Sequence, residues 1–329
     1  MNYRFAIFGC GVIAGFHAAA LGDVEGASLT ACADVNPAAA EAFAKKHDIR
    51  ALADFDALLA DPTVDVVTIC TPNGTHAELA IRALEAGKHV VLEKPMAITV
   101  ADCDRIIEAR KASKGKLTVI SQLRTSPDIL RARELVRSGA LGRIVLSELI
   151  MKYYRAPEYY KGSWRGTKKM DGGGALMNQG IHGVDILQYL VGPTKNIQSI
   201  TRTLSHEIEV EDTAVASVEF ESGALGVIVA STATHPGFER QIRISGTRGA
   251  VEITENQIVR LVIDGVDEAC EAFTGASGAS SNTAISHTEH AKQLSAFVRV
   301  LSGEDCEYVD EYEGKKAVEI IETIYKNTI

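Results

Sequence analysis

The stretch FAIFGCGVIAGFH, residues 5–17, joins a short apolar run to a glycine-rich turn and the first residues of a helix. Gly9 permits the tight turn, Gly11 lets a pyrophosphate approach the backbone, and the small Ala14 lets the helix pack on the strand. The amino terminus of that helix would offer free N–H groups to the phosphates. This pattern predicts a dinucleotide-binding turn at the carboxyl end of a first β-strand.

An acidic residue follows the second predicted strand, which ends in ACADVN. Asp34 lies 23 residues after Gly11, where an acid binds the ribose hydroxyls of the adenosine in a dinucleotide. Because a carboxylate there repels a 2′-phosphate, we expect NAD to be favoured over NADP. In the alternative interpretation, Asp34 and Asn36 only cap the helix that starts at Pro37.

Composition and charge restrict the classes of function. The chain has 329 residues, 46% of them hydrophobic, which is enough for two domains with buried cores. Its net charge of −9 argues against binding to a phosphate backbone, so we expect no nucleic-acid partner. The apolar run at the amino terminus is too short for a signal peptide or a membrane span, which predicts a cytoplasmic protein.

Neither disulfides nor a metal site is predicted. The six cysteines are scattered without a C-x-x-C pair, which favours reduced thiols. His287 and His290 could share a helix face, but no third ligand accompanies them in the sequence. We interpret this pair as part of the solvated start of a helix.

The pattern of predicted elements changes near residue 121. Before it, apolar β-branched runs alternate with amphipathic stretches, which predicts a parallel sheet in an α/β domain over residues 1–121. After it, closely spaced strands follow a single long helix over Ala175–Val191. Strands without intervening helices favour a mostly antiparallel sheet, and hence an α+β domain over residues 122–329.

Lys94 follows a strand in HVVLEKP, residues 89–95. Ligands of open parallel sheets lie beyond the carboxyl ends of the strands, and the loop CTPNGTH, residues 70–76, ends at the same edge. A partly desolvated lysine can exchange protons near neutral pH. The alternative is a surface pair of Glu93 and Lys94 before a proline turn.

A second group of polar residues lies in DGGGALMNQGIHGVDILQYL, residues 171–190. Three glycines allow close backbone approach before a helix that carries Asn178, His182 and Asp185 on one face. The same helix buries apolar residues, so a purely structural role for His182 is the alternative. The glycine run and the two neighbouring polar groups raise a catalytic role for His182 to equal standing with the structural one.

Together, G-x-G-x-x-A, Asp34, EKP and the glycine-led N-x-x-x-H helix resemble the Gfo/Idh/MocA oxidoreductases across essentially the whole chain. The resemblance implies a Rossmann domain and an α+β domain with an open, mainly antiparallel sheet. It further implies that this sheet forms homodimers or homotetramers. The implied reaction is reversible oxidation of a sugar or cyclitol hydroxyl by a tightly held NAD(P).

The resemblance also implies roles for individual residues. Lys94 matches the lysine between nicotinamide and substrate, and His182 matches the histidine that closes the family's D-x-x-x-H motif. Asn178 departs from that motif. Because an amide cannot serve as a base, Asn178 would position a hydroxyl or the imidazole, and proton transfer would fall to Lys94 and His182.

The remaining site residues follow from this match and from the loops at the sheet edge. The predicted cofactor-binding residues are Gly9, Gly11, Val12, Ile13, Asp34, Thr71, Pro72, Asn73, His76, Glu93, Lys94, Gln122, Trp164 and Arg165. The predicted substrate-binding residues are Lys94, Arg124, Tyr153, Tyr160, Arg165, Asn178 and His182.

Four segments relate the chain to one branch of the family: SQLRTSP (121–127), APEYYKGSWRGT (156–167), MNQGIHGVD (177–185) and IEVEDTAVASVEF (208–220). They look like the branch that contains UDP-N-acetylglucosaminuronate 3-dehydrogenases, which oxidise the C3 hydroxyl of a nucleotide sugar. A uronate requires a cation, and Arg124, Arg155 and Arg165 have the right chemistry. These arginines could equally be solvated surface groups.

Two other functions remain open at the level of sequence. A redox-neutral enzyme would oxidise C3, eliminate a glycosidic bond and then reduce C3 again with the same residues. A non-enzymatic NAD(H)-sensing regulator would retain the Rossmann domain without catalysing a reaction. The presence of both Lys94 and His182 argues against a sensor, which needs neither.

Overall fold

The glycine turn follows the first strand in a computed structural model, which describes residues 2–275, 277–279 and 286–329. Within these residues the strands are β1 (Tyr3–Phe8), β2 (Ala27–Ala33), β3 (Arg50–Ala51), β4 (Val66–Ile69), β5 (His89–Leu92), β6 (Leu117–Val119), β7 (Ile144–Lys152), β8 (Thr194–Arg202), β9 (Thr213–Phe220), β10 (Leu225–Ser231), β11 (Gln241–Gly246), β12 (Gly249–Thr254), β13 (Gln257–Ile263) and β14 (Val266–Glu268). The α-helices are α1 (Val12–Gly22), α2 (Pro37–His47), α3 (Phe55–Ala60), α4 (His76–Glu85), α5 (Val100–Ala112), α6 (Pro127–Arg137), α7 (Ile181–Val191), α8 (Thr288–Leu301) and α9 (Glu311–Lys326).

The chain divides into two units. The first contains Met1–Gln122 and Ser286–Lys315, and the second contains Leu123–Ile285 and Lys316–Ile329. The predicted division is between residues 121 and 122, with all later residues in the second domain. The structure differs from this predicted division chiefly because residues 286–315 belong to the first unit.

The first unit contains a six-stranded parallel sheet in the order β3-β2-β1-β4-β5-β6. The strand order reverses between β1 and β4, and such a reversal is where open parallel sheets bind their ligands. The glycine turn follows β1, and Lys94 lies two residues beyond the end of β5 at the same edge. The predicted Rossmann sheet is confirmed.

Helix α8 covers part of the parallel sheet. Leu294 and Phe297 of α8 pack in one cluster with Phe5, Val66 and Val91, and all five side chains are fully buried. Burying a side chain of this size contributes roughly 1.5–3 kcal/mol. This apolar face is the physical reason why residues 286–315 belong to the first unit.

The second unit contains an eight-stranded sheet in the order β14-β13-β12-β11-β7-β10-β9-β8. Strands β7 and β10 pair in parallel, and the other neighbours pair antiparallel. The predicted mostly antiparallel sheet is confirmed. Its first strand along the chain, β7, lies in the interior of the sheet, an order that the sequence pattern does not reveal.

The long helix predicted over Ala175–Val191 has two parts. Ala175–Gly180 is a π-helical segment, and α7 begins at Ile181. Apolar spacing cannot separate the two forms, because a single π-helical turn contains too few residues to show a different period. π-Helical turns are rare and occur frequently at functional sites.

The described residues include no helix that combines the length and the apolar character needed to cross a lipid bilayer.

Candidate active site

The glycine turn has the shape that a pyrophosphate requires. Gly9 has a φ of +94°, and a Cβ at this position would lie 2.6 Å from the Cys70 carbonyl oxygen. At Gly11 a Cβ would meet no heavy atom of the described chain within 4 Å, and Val12 is 80% exposed. The open backbone at the start of α1 therefore suits phosphate oxygens, which its N–H groups can bind. Ile13 is partly buried in the cluster beneath the turn.

Asp34 is bonded to the glycine turn. Its Oδ2 accepts the Cys10 N–H at 2.6 Å, and its Oδ1 accepts the Asn36 N–H at 2.8 Å. The cap of α2 is Asn36, whose side chain accepts the Ala38 N–H. The capping interpretation therefore applies to Asn36. Asp34 holds its carboxylate beside the turn, as ribose binding requires, and these residues fit NAD.

His76 joins two loops at this edge. Its Nδ1 lies 2.7 Å from the Pro95 carbonyl oxygen, and its Nε2 lies 3.0 Å from the Thr71 carbonyl oxygen. Burial lowers the pKa of His76, although both carbonyl contacts oppose that shift. His76 is a predicted cofactor contact, but both ring nitrogens contact the backbone. His76 therefore connects the loop that contains Thr71 to the loop that carries Lys94.

The other predicted residues of this edge lie around the two loops. The Thr71 hydroxyl is 2.7 Å from the Thr75 hydroxyl, and Pro72 precedes a 3₁₀ turn that begins at the buried Asn73. Gln122 is buried where a second 3₁₀ turn begins, after β6. The structure therefore brings these residues to the carboxyl edge of one sheet.

Glu93 and Lys94 have different environments although they are adjacent. Lys94 is partly buried, whereas Glu93 is only 5% exposed. The Glu93 carboxylate is 2.8 Å from His17 Nε2 and also accepts the Lys94 N–H at 3.1 Å. Glu93 is thus not half of a surface pair, and its predicted contact with the cofactor gains no support from this geometry.

In the second unit, Glu211 holds the glycine run that precedes the π-helical segment. Its carboxylate accepts the N–H groups of Gly174 and Leu176, each at 2.9 Å, and the Tyr325 hydroxyl at 2.9 Å. Burial raises the pKa of Glu211, although these bonds oppose that shift. A Cβ on Gly174 would lie 1.8 Å from the Glu211 carbonyl oxygen. The glycine is therefore required by this close approach.

Replacing Gly174 with alanine is expected to lower the free energy of unfolding by about 3 kcal/mol, because the backbone must shift to admit a methyl group. Chemical denaturation measures this change. Gly15→Ala is the control, since a Cβ on Gly15 of α1 would meet nothing within 4 Å in the described structure. Helix propensity favours alanine there by about 1 kcal/mol. Equal stability of the two variants would contradict the proposed packing.

Asp171 orients the Asn178 amide. Its Oδ1 accepts from Asn178 Nδ2 at 2.5 Å, and its Oδ2 accepts the Gly166 N–H at 2.8 Å. Asn178 Oδ1 in turn accepts from Gln179 Nε2 at 3.1 Å. With its NH₂ group bonded to a carboxylate, Asn178 presents its carbonyl oxygen as an acceptor. This orientation suits a positioning role.

His182 and Asp185 lie on one face of α7, but Asp185 is bound to an arginine of the protein. His182 lies in the first turn of α7 and is partly buried. Asp185 binds Arg124 through two hydrogen bonds of 2.9 and 2.6 Å, and both side chains are buried. Arg124 also lies over the Tyr189 ring. The predicted substrate residue Arg124 is thus bound by a carboxylate of the protein.

Three side chains of the preceding loop are packed inside the unit. Arg155 donates to Gln179 Oε1 and to backbone carbonyls that include Gly278 O. The Tyr153 hydroxyl contacts Glu255, and burial raises the pKa of Tyr153. The Tyr160 hydroxyl donates to Thr232, and burial raises its pKa to about 12.

Trp164 and Arg165 form an aromatic and cationic group in the same loop. The Arg165 guanidinium lies 4.8 Å from the Tyr159 ring centroid and 5.0 Å from the Trp164 ring centroid. It also donates to the Ser163 hydroxyl at 3.3 Å. Gln179 links the loop to the π-helical segment by donating to the Tyr159 hydroxyl at 2.9 Å.

Two family models match these two parts of the chain. The model described as the oxidoreductase family, NAD-binding Rossmann fold, matches residues 3–121, and the GFO/IDH/MocA C-terminal domain matches residues 129–252. A myo-inositol 2-dehydrogenase of Thermotoga maritima is 30% identical over 75% of this chain and 74% of its own length. The chain belongs to the Gfo/Idh/MocA family. Its predicted NAD cofactor and oxidoreductase class are confirmed.

Solved structures of the Gfo/Idh/MocA type superpose along nearly the whole chain. The WlbA dehydrogenase of Bordetella pertussis, solved with NADH and UDP-GlcNAcA, is 31% identical with a TM-score of 0.89, covering 99% of this chain and 96% of that one. The WlbA enzyme of Chromobacterium violaceum, solved with the same ligands, is 32% identical with a TM-score of 0.88, covering 99% and 93%. The predicted resemblance to this branch is confirmed.

Several buried polar residues of the two units were missed by sequence reasoning. Asp171 lies in the segment 171–190 and Glu211 in the segment 208–220, but their hydrogen-bond partners are distant backbone N–H groups or a neighbouring amide. An acidic residue beside a glycine run is the signal that could have indicated them. His17 and His290 carried no such signal, because their contacts with Glu93 arise only from the fold.

Proposed function

We propose that this enzyme transfers hydride between nicotinamide and the carbon of a secondary hydroxyl, at C3, in a sugar, nucleotide sugar or cyclitol. The observation that carries the proposal is similarity to two WlbA dehydrogenases over 99% of this chain, together with Lys94 and His182 in the matching motifs. Bound NAD supplies the redox step. The protein supplies binding, orientation and the acceptor for the hydroxyl proton.

Lys94 takes the hydroxyl proton, either directly as a neutral amine or relayed through His182. The partial burial of both side chains suits groups that meet a substrate at one end and the protein at the other. Asn178 accepts a hydrogen bond through its carbonyl oxygen, since its NH₂ group is bonded to Asp171. Asp171 thereby acts as a positioning residue for Asn178.

We further propose an acidic nucleotide sugar as the substrate class, with its carboxylate on Arg165. Arg124 is bonded to the Asp185 carboxylate, and Arg155 donates to three carbonyl oxygens and one amide oxygen. Arg165 is bonded to a hydroxyl and stacked on two rings, which leaves its planar fork suited to a carboxylate. The aromatic rings suit the faces of a sugar.

A substrate screen tests the proposal. Purified enzyme with NAD is mixed in turn with a UDP-uronate, its neutral UDP-sugar counterpart, a free sugar and an inositol, and the absorbance of reduced nicotinamide is followed. We expect the fastest turnover with the UDP-uronate. Turnover with inositol but not with UDP-sugars would contradict the substrate class while leaving the reaction type intact.

The same screen separates the alternatives. A redox-neutral enzyme releases an aglycone from a glycoside without net formation of NADH, so both products are measured. A sensor binds NADH but turns over none of the compounds. The relatives compared above carry the name dehydrogenase, and none of their names supports either alternative.

Asp34→Ala is expected to raise the Kd for NADH about tenfold and to lower the ratio of NADH to NADPH affinity at least about tenfold, because the carboxylate that repels a 2′-phosphate is lost. Fluorescence titration with both cofactors measures the ratio. Asn36→Ala is the control: loss of the α2 cap costs about 1 kcal/mol of stability and leaves the ratio unchanged. An unchanged ratio in Asp34→Ala would restore the capping interpretation.

We propose that the open face of the second sheet forms a homodimer or homotetramer. Ile200 pairs with Val215, and Leu225 pairs with Leu146, in neighbouring strands of this sheet. These four apolar side chains are each between 44% and 59% exposed in the single chain. A second copy of the same face would bury them, as a two-fold interface allows.

Val215→Glu is expected to convert the oligomer to a monomer, because a carboxylate would be buried at the contact. Light scattering of the eluting protein gives the mass. Val266→Glu, on the edge strand β14, is the matched control and should leave the mass unchanged. A monomeric native protein would refute the interface.

A cytoplasmic location is also part of the proposal. All six cysteines are free thiols, which a reducing compartment maintains.

A further inference from the structure

A buried cluster of three side chains is bonded to the backbone of Lys94 within the first unit. His17 of α1, Glu93 after β5 and His290 of α8 are 0%, 5% and 1% exposed. The proposed reaction uses none of these side chains directly. His290 was interpreted from sequence as part of a solvated helix start, and that interpretation is wrong because α8 buries it against the sheet.

Glu93 makes the two hydrogen bonds that define the cluster. Its Oε1 lies 2.8 Å from His17 Nε2, and its Oε2 accepts the Lys94 backbone N–H at 3.1 Å. The His290 ring lies edge-on to the His17 ring at 5.3 Å, and its Nε2 is 3.9 Å from Glu93 Oε1. That distance is too long for a hydrogen bond. His17 is therefore the bonded partner of Glu93, and His290 is a buried neighbour.

The cluster places an ionised carboxylate beside the Lys94 backbone. Burial alone would raise the pKa of Glu93, but the hydrogen bond from His17 and the neighbouring positive groups lower it to about 2. Burial and the charge of His17 lower the pKa of His290 to about 4, which leaves it neutral at physiological pH. The Glu93 carboxylate is thus ionised one residue before the proposed catalytic lysine.

A metal ion is the competing explanation, because the three side chains offer ligand atoms within 4.8 Å of one another. A histidine binds a metal through a free nitrogen lone pair. Here His17 Nε2 and Glu93 Oε1 are already at hydrogen-bond distance from each other. A metal would have to break that bond, so the geometry favours a hydrogen-bonded pair.

We propose that His17 and Glu93 are positioning residues for Lys94: the pair fixes the lysine backbone and holds a carboxylate charge that sets its protonation. This inference rests on the proposed role of Lys94 in proton transfer. Among the described residues, the titratable and charged groups that interact with Glu93 include His17, Cys70, His76, Lys94 and His290. Of these side chains, that of His17 lies at hydrogen-bond distance from the Glu93 carboxylate, whereas Lys94 bonds it through its backbone N–H.

The test measures how reactive the Lys94 amine is at each pH. The purified full-length enzyme is labelled with trace acetic anhydride over a pH series, and mass spectrometry follows the Lys94 peptide relative to exposed Lys292. Glu93→Gln should lower the labelling midpoint of Lys94 by about one pH unit, because it removes a nearby opposite charge. His17→Leu should shift the midpoint in the same direction, because Glu93 loses the donor that keeps it ionised.

Two further variants separate positioning from simple burial. His17→Gln keeps an N–H donor at the same reach and should restore the wild-type midpoint. His290→Leu is the matched control, since it changes an equally buried ring that does not hydrogen-bond Glu93. It should leave the midpoint unchanged, whatever it does to stability. The kcat–pH profile on the best substrate should shift in step with the labelling midpoint.

Unchanged midpoints in Glu93→Gln and His17→Leu would overturn the inference, and so would one equivalent of bound metal found by elemental analysis of the native protein. If Glu93→Gln does not fold, the inference is tested by comparing the Lys94 labelling midpoints of His17→Leu and His17→Gln. Labelling requires no substrate. Full turnover in Lys94→Ala would therefore contradict the proposed proton-transfer role of Lys94, while the labelling midpoints of the other variants would still report on the cluster.

Discussion

Lys94→Ala is expected to lower kcat by about 10²–10⁴-fold while leaving the Kd for NADH within about threefold of the wild-type value. General acid and base groups contribute rate factors of this size, and an alanine cannot carry the proton. Steady-state kinetics on the best substrate of the screen give kcat, and NADH fluorescence gives the Kd. The loss is expected in kcat because the amine acts on the reacting hydroxyl.

Lys292→Ala is the control for this experiment. Lys292 is exposed on α8, so its replacement should change neither kcat nor the Kd. A loss of less than about tenfold in Lys94→Ala would remove Lys94 from proton transfer. A comparable loss of NADH binding would instead indicate that Lys94 mainly holds the cofactor.

His182→Ala is expected to lower kcat by about 10²-fold or more, and the double variant Lys94→Ala/His182→Ala should be no slower than Lys94→Ala alone. Groups that act on the same proton are strongly non-additive, because removal of one already disables the step. The measurement is a double-mutant cycle on kcat, with thermal unfolding to verify that each variant is folded.

His287→Ala supplies the matched control, since His287 is exposed and contacts Asp23. Additive losses from Lys94 and His182 would contradict a shared proton and would assign the two residues to separate steps. An unchanged kcat in His182→Ala would favour the purely structural interpretation of this histidine.

The sequence predicted most elements of the first unit within a few residues. The amphipathic stretch 100–112 forms helix α5, because Thr99 caps it and the buried residues Cys103, Ile106 and Ile107 form an apolar stripe. Short elements were missed, such as α3 and β14, which have six and three residues. Periodicity over so few residues does not rise above chance.

Some residues of the candidate site have the surroundings that the sequence predicted, and others do not. Asp34 beside the glycine turn and the glycine-led segment before His182 follow from local spacing, and both have the expected surroundings in the structure. Arg124 and Tyr153 were assigned to the substrate from their chemistry alone. The structure bonds Arg124 to Asp185 and Tyr153 to Glu255, partners that lie 61 and 102 residues away.

The sequence by itself determined the dinucleotide turn, the parallel order of the first domain, the family and the positions of Lys94 and His182 at the ends of recognisable motifs. Each of these depends on backbone conformation and apolar periodicity, which are properties of neighbouring residues. Only the tertiary structure decided which charges are paired. A buried ionised group must find its partner wherever the fold places one, and for Glu93 that partner is His17, which lies 76 residues earlier in the chain.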